Sequence, residues 1–478
     1  MSVERKQNLA TAEFRLFLRD SAGVRVAVLD SSAHTLVWED DGSRVFPPGS
    51  AEGPAAAGSP RPAAAFAVAP HNPGLKSREP RVVKIQLGLG CNMSCEYCSQ
   101  REIRPDRTDA EKTLEKVRTF LSRIDEWFRG GPAGDGEGTR IELWGGETLI
   151  YWKAMSLIGE TLRARHPKAL IHFFTNGTLL TPGIIDEVER LGMHVTVSHD
   201  GPFTARTRGR DVFADPRTAA QVRELFRRLN PGGRISFNAT ITRESPDLLA
   251  IHHHIADALG APFESVRVTH EIGIPYESDS VALFGDASLA IRTGLVRAAV
   301  AGGVHGLLAC GLWEHVEEVR GLFGNPVDRN VFGQRCGMDR SDRIAVDLDG
   351  NVLTCQITSA ESGHRIGAIE RLEDVRLTTS RHWSEREECG SCPVLLSCRG
   401  GCMFMTGKSW TDSCDQLFDW HLGYLATALY LQTGRVLEKV EGGVIRGKGG
   451  DGAIAVEVLR AKDFIDLLAA GSAPQVRS

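Results

Sequence analysis

The segment GLGCNMSCEYC places Cys91, Cys95 and Cys98 within eight residues, immediately after the apolar run VVKIQLGL. Three thiols in so short a loop make the backbone turn about a common point, and a metal centre is what such a turn can hold. Three thiolates bind three irons of a four-iron, four-sulfur cube and leave the fourth iron without a protein ligand. A zinc knuckle asks for a fourth ligand nearby, and plain turn cysteines ask for none; the residues alone leave these readings open. Tyr97, lodged between two candidate ligands, offers a ring that either stacks on a planar base or packs a core.

The remaining cysteines are clustered too. Of eleven, seven lie between Cys336 and Cys414, with only Cys310 outside the two groups. Eleven in 478 residues are too sparse for a small disulfide scaffold. The start, MSVERKQNLATAEFRL, is charged from its fourth residue and has no apolar run before a small-residue cleavage site. No stretch of 18 apolar residues occurs, so no membrane span is expected, and the chain reads as cytoplasmic. Lys and Arg number 56 against 61 Asp and Glu, for a net charge of -5, which gives no field to hold a polyanion or a membrane surface. Nucleic acid and membrane are therefore not expected partners.

Residues 1–50 carry short apolar runs such as FRLFL and VRVAVLD and read as a small β-containing module. Residues 51–79 form a connector rich in Pro, Ala and Gly. From 80 to 275 the chain alternates candidate strands (VVKIQL, IELW, LIHFF, HVTVS, ISFNATI, VRVTH) with amphipathic helical stretches, the signature of a parallel α/β unit. Six strands suit a partial (β/α)6 barrel, with polar ligands at the C-terminal strand ends. A bridging region spans 276–335, a cysteine-rich region 336–420, and a helix and tail 421–478. His252, His253 and His254 are adjacent in a helical stretch, project in different directions and read as surface decoration.

With loop and strand pattern in place, the sequence resembles the radical SAM superfamily, whose hallmark is this cysteine spacing after the first barrel strand with an aromatic before the last Cys. Trp144, Gly145, Gly146 and Glu147 look like its glycine-glycine-glutamate element, which receives the methionine amino group of S-adenosylmethionine (SAM). Thr175, Asn176, Gly177 and Thr178 look like its third-strand element. Ser198, Asp200 and Gly201 resemble its fourth-strand element, with His199 where an apolar residue is more usual. Arg206 or Arg208 would supply a cation for the SAM carboxylate. Read without the resemblance, the glycines are a tight turn, Asn176-Gly177 a common turn pair, and Asp200 a cap.

The second cysteine region resembles a SPASM domain, so the implied fold is a partial radical SAM barrel with an N-terminal β module and a C-terminal iron-sulfur domain. By that resemblance Cys389, Cys392, Cys398 and Cys414 ligate an outer auxiliary cluster, and Cys336, Cys355 and Cys402 an inner one. Cys310 is the candidate fourth inner ligand; without it an iron is open. Three [4Fe-4S] clusters and SAM are the implied cofactors, with zinc knuckles the alternative in the second region. CRGGC allows close wrapping of N-H groups around sulfide.

The implied activity is hydrogen abstraction from a peptide or protein by a 5'-deoxyadenosyl radical, with an intramolecular carbon-carbon or thioether cross-link as the first expectation. Epimerisation, formylglycine formation of the sulfatase type, modification of a small metabolite and non-catalytic electron transfer are the alternatives. Sulfatase-type enzymes carry an acidic residue where this chain has Gln356; Asp347, Asp349 and Glu361 are candidate substitutes. Glu271, His270 and Tyr276 follow the last candidate strand and are candidate catalytic residues. Expected partners are a peptide or protein with or without a leader, which the N-terminal module would hold by strand addition, and an electron donor such as flavodoxin or ferredoxin.

Overall fold

The computed structural model describes residues 13–31, 33–48, 76–103, 110–129, 138–273, 286–309, 311–324, 333–442 and 454–459. Tyr276 and Cys310 lie outside the described residues. The strands in chain order are β1 (Glu13–Asp20), β2 (Gly23–Asp30), β3 (Thr35–Trp38), β4 (Val82–Gln86), β5 (Arg140–Trp144), β6 (Leu170–Thr175) and β7 (His194–Ser198). They continue as β8 (Ile235–Ile241), β9 (Val268–Ile272), β10 (Arg343–Asp347), β11 (Asn351–Leu353), β12 (Arg365–Ala368), β13 (Val436–Gly442) and β14 (Ile454–Glu457). The chain divides into two compact units, one from residues 68–282 and 336–380, the other from 1–67, 283–335 and 381–478.

The first of these units holds a nine-stranded mixed sheet in the order β12-β11-β10-β4-β5-β6-β7-β8-β9. Its core is the six-strand parallel run β4 to β9 that the alternating sequence predicts. One face is apolar: Ile85, Leu143, Phe173, Val197 and Phe237 are buried, at 0–1 % exposure. The register carries them across the sheet, Ile85 opposite Leu143 and Leu143 opposite Phe173. Helices follow the strands because their ends are capped. Thr181 accepts from the Ile184 N-H at the start of Pro182–Arg190, Asp215 caps Pro216–Leu229, and Asp247 caps Leu248–Leu259. Asp and Thr at these positions satisfy first-turn N-H groups that have no partner within the helix.

The opposite face is polar. Glu142 accepts from the Trp144 indole at 2.9 Å and pairs with Arg140 at 2.9 Å and Lys84 at 3.5 Å. His172 Nε2 meets Thr196 Oγ1 at 2.8 Å, and Thr196 meets Ser236 Oγ at 2.9 Å. Although desolvation opposes it, Lys84 and Arg140 hold the Glu142 carboxyl below its ordinary range. The sheet thus presents a satisfied polar floor to whatever lies over its strand ends.

Two features of this unit have no counterpart in the sequence pattern. β10, from beyond residue 336, joins parallel to β4, with Arg343 opposite Val82 and Asp347 opposite Gln86. Of the histidines 252 to 254 only His253 is exposed: His252 is fully buried and stacks on Phe263 at 3.8 Å, and His254 is half-buried and stacks on His199 at 5.6 Å.

The other unit holds a five-stranded antiparallel sheet in the order β14-β13-β1-β2-β3. β1 and β2 form a hairpin closed by Asp20, whose Oδ1 accepts from Ala22 N and Gly23 N. β13 pairs with β1, so strands more than 400 residues apart share one ladder. The helices Asp286–Ala309, Trp313–Gly324 and Gly407–Thr433 complete it. Gly423 lets two of them cross closely, since a Cβ there would lie 2.4 Å from Leu295, and Arg292 pairs with Asp419 at 2.7 Å beside it.

Candidate active site

The thiol loop leaves β4 and is held by backbone. Leu87 N donates to Trp144 O, Gly146 N to Gly88 O at 3.1 Å, and Glu147 N to Gly90 O at 2.8 Å. The phenol of Tyr151 accepts from Gly90 N. Gly146 is required by this approach, because a Cβ would stand 2.4 Å from Gly90 O and 2.5 Å from Leu89 O. The glycine pair therefore clamps the start of the cysteine loop. Within it Cys98 N donates to Cys95 O, and Arg101 also donates to Cys95 O.

Cys91, Cys95 and Cys98 line one cavity of about 270 Å³ with Glu147, Asn176, Ser198, Arg208 and Glu271. Tyr97, Gly145 and Gly146 line it as well. Burial pushes the Cys95 thiol up to about 11, with Arg208 pulling the other way and Cys98 and Cys91 adding to the rise. None of the ten described cysteines is in a disulfide. Three thiols converging on one cavity beside a guanidinium fit the three-iron ligation of a [4Fe-4S] cube whose remaining iron faces the cavity contents.

Around the loop stand two carboxylates with different tasks. Glu147, 1 % exposed, accepts from Leu149 N, Thr175 Oγ1 and Asn176 N at 3.0, 2.7 and 2.7 Å, which ties the end of β5 to the end of β6. Oε2 takes only one of these bonds and keeps acceptor capacity for an ammonium. Desolvation nevertheless raises its carboxyl above the ordinary range. Asp200 is fully buried and accepts from Arg208 Nε and Nη2 at 2.9 Å each, and from the Tyr97 and Thr207 hydroxyls at 2.7 Å each. Thr240 N adds a further bond at 2.9 Å. Bidentate Arg and two hydroxyls outweigh desolvation, so this carboxyl sits below its ordinary range.

Of the two arginine candidates, Arg208 reaches the cavity, whereas Arg206 is largely exposed and pairs with Glu244 at 2.9 Å. Glu271 lines the cavity; its neighbour His270 points to the other side of β9, where it is buried. Glu271 is open to the cavity, and protein on its other sides raises its carboxyl against the pull of Lys84. Gln356 is anchored: its carbonyl accepts from Gln86 Nε2, and its side chain from the Cys355 thiol. Asp347 accepts from Asp349 N and Asn351 N in a turn, Asp349 pairs with Lys116, and Glu361 is exposed. Trp144, Phe174, Asn238 and Thr240 also line the cavity. Trp144 belongs to the glycine-glycine-glutamate element, whereas Phe174, Asn238 and Thr240 were not singled out from sequence.

Cys336, which is exposed, and Cys355, which is half-buried, belong to this same unit; desolvation by the protein around it raises the Cys355 thiol, with Lys84 opposing. The other unit carries Cys389, Cys392, Cys398, Cys402 and Cys414. Burial raises the Cys392 thiol well above its ordinary value, and Cys398, Cys414 and Cys389 add to the rise, so the four thiols share one neighbourhood. Arg399, Gly400 and Gly401 all have positive φ, wrapping backbone about it. Arg386, missed in the sequence, donates to Cys402 O and Met405 O at 3.1 Å each and lies over the Trp410 ring.

Fold and site fit an α/β enzyme with a thiol-lined cavity at its parallel strand ends. Residues 85–242 match the radical SAM superfamily. This third of the chain is a radical SAM domain. The chain is 20% identical over 337 residues, 68% of each chain, to the radical SAM cyclopropyl synthase TigE of Paramaledivibacter caminithermalis. Its fold is similar to that of native anSMEcpe with bound AdoMet and Cp18Cys peptide, at a TM-score of 0.52 and 17% identity, covering 73% of this chain and 99% of that one. Native anSMEcpe with bound AdoMet gives a TM-score of 0.50 at 16% identity with the same coverage. Among the described residues no helix is long and apolar enough to cross a membrane.

Proposed function

We propose that this chain oxidises a residue of a peptide or protein by radical hydrogen abstraction. The observation that carries the reading is the convergence of Cys91, Cys95 and Cys98 on one cavity with Glu147, Arg208 and Glu271. A bound [4Fe-4S] cluster with SAM supplies the radical that removes hydrogen from an unactivated carbon, and auxiliary clusters a sink for the electron left behind. The peptide as substrate class rests on the fold likeness to anSMEcpe, whose structure holds a Cp18Cys peptide.

The chain's own residues divide the remaining work. Glu147 Oε2 and the backbone at Gly145 and Gly146 receive the amino group of SAM, and Arg208 faces its carboxylate. Ser198 and Asn176 orient the ribose and methionine portions. Tyr97 is fixed by Asp200 so that its ring holds a constant position beside the cluster loop. Glu271 takes the proton released when the substrate is oxidised, a task for a carboxylate open to the cavity with a raised pKa. Gln356 leaves no base after Cys355, which is why the proton goes elsewhere. Cys389, Cys392, Cys398 and Cys414 hold one auxiliary cluster, and Cys336 and Cys355 contribute ligands to another. A flavodoxin or ferredoxin supplies the reducing electron.

Oxidation at one residue, as in formylglycine formation or closure of a ring within a side chain, is the preferred outcome over a cross-link between two residues. Anaerobic co-expression with whichever short peptide or protein is encoded nearest its gene, followed by fragment mass mapping, tests it. Loss of two hydrogens confined to one residue supports the reading; a linked pair restores the cross-link, and an unchanged peptide removes that peptide as substrate. Glu271→Gln is expected to keep 5'-deoxyadenosine formation while product falls by about 10²-fold or more.

A further inference from the structure

His199 stands where the superfamily resemblance leads one to expect an apolar residue, and it is 0 % exposed. It follows β7 and does not line the cavity, whereas Ser198 does. Nε2 is 2.9 Å from Asp211 Oδ1, and Nδ1 accepts from Gly201 N at 3.1 Å. Asp211 Oδ1 also accepts from Phe213 N at 2.8 Å, which fixes the carboxylate. From the helix Leu248–Leu259, His254 stacks its ring on His199 at an interplanar angle of 20°, and its buried Nε2 has no hydrogen-bond partner. The candidate ligand atoms of the three residues all lie within 4.8 Å of one another. A buried imidazole nitrogen left without a partner is destabilising, so three segments converge on a point that asks for something to bind.

We propose that His199, Asp211 and His254 bind one divalent transition-metal ion of the zinc type, in a mononuclear site separate from every cysteine. Two imidazoles and a carboxylate are a zinc donor set, with a water completing four-coordination. An iron-sulfur cluster would instead call on thiolates, and no cysteine belongs to the group. When Nε2 of His199 becomes a ligand its proton moves to Nδ1, which gives up the bond from Gly201 N and donates instead to Thr204 Oγ1, 3.1 Å away. Thr204 keeps its own donation to Gly201 O at 2.8 Å and its acceptance from Asp200 N at 2.9 Å. The ion thereby pins the end of β7, which carries Ser198 and Asp200 to the cavity, against the helix that carries His254. Its role is structural, as a clasp behind the site.

The test uses full-length protein with its clusters loaded, so that the cysteines are already taken by iron. After incubation with Zn2+ and desalting, elemental analysis is expected to give about one zinc per chain in the wild type. His254→Ala and Asp211→Asn are expected to weaken zinc binding by at least about tenfold, with iron content unchanged. X-ray absorption at the zinc edge of the wild type should report nitrogen and oxygen neighbours only. Zinc with sulfur neighbours, equal retention by wild type and H254A, or no retention by the wild type would overturn the proposal and leave His199 and Asp211 as a hydrogen-bonded strut. If H254A loses iron, His254→Gln and the wild-type absorption spectrum still decide the question.

Discussion

The two cysteine groups use the same ligand in opposite surroundings. Cys91, Cys95 and Cys98 sit on a loop beyond a parallel strand, facing a cavity that also admits carboxylates and a guanidinium. Cys389, Cys392, Cys398 and Cys414 sit on short turns wrapped by their own backbone, with Trp410 and Arg386 packed alongside. On the proposed reading, the difference separates a cluster that meets a small molecule from one that only needs to be held. Polar side chains positioned for a ligand mark the first; backbone donors and carbonyls engaged by an arginine mark the second.

The contrast breaks most sharply in a pair of substitutions. Cys95→Ala is expected to reduce 5'-deoxyadenosine formation to background, whereas Cys398→Ala should retain SAM cleavage and lose modified peptide. Assays of nucleoside and peptide in parallel check this, and equal loss of both in each variant would erase the distinction. Next in size is Arg208→Ala, which strands a fully buried Asp200 and should cost about 3–5 kcal/mol in urea unfolding. Arg386→Ala, in the other group, removes a buried cation from carbonyls of Cys402 and Met405. Loss of about 1.5–3 kcal/mol is expected there, with SAM cleavage unchanged.

The smallest effect is one of pH. Burial lowers the imidazole of His172, on the polar sheet face, to about 3, and that of His315, in the other unit, to about 4. A depressed folded value means that each contributes stability above its unfolded pKa and loses it as pH falls. Between the ordinary imidazole range and those lowered values, each should cost up to about 1.4 kcal/mol per pH unit. Unfolding of the wild type and His315→Gln at successive pH values checks the sign, since the variant should show the shallower acid slope.

What was legible in the sequence follows from range. The six parallel strands announce themselves because each alternates locally, and Glu147, Asp200 and the thiol loop because each lies at the end of such a strand. β10 escapes because five residues joining the edge of β4 from more than 250 residues away carry no local mark. The pairing of β13 with β1 is hidden for the same reason. His254 was misread because helical rotation decides which of three adjacent histidines turns toward Asp211. Arg386 bonds to backbone carbonyls, which no side-chain pattern advertises.

The most direct measurement is the 5'-deoxyadenosine formed by anaerobically reconstituted, reduced protein given SAM. The account predicts steady formation by the wild type that depends on Cys91, Cys95 and Cys98. A protein with full iron and sulfide content that binds SAM and makes none would contradict it.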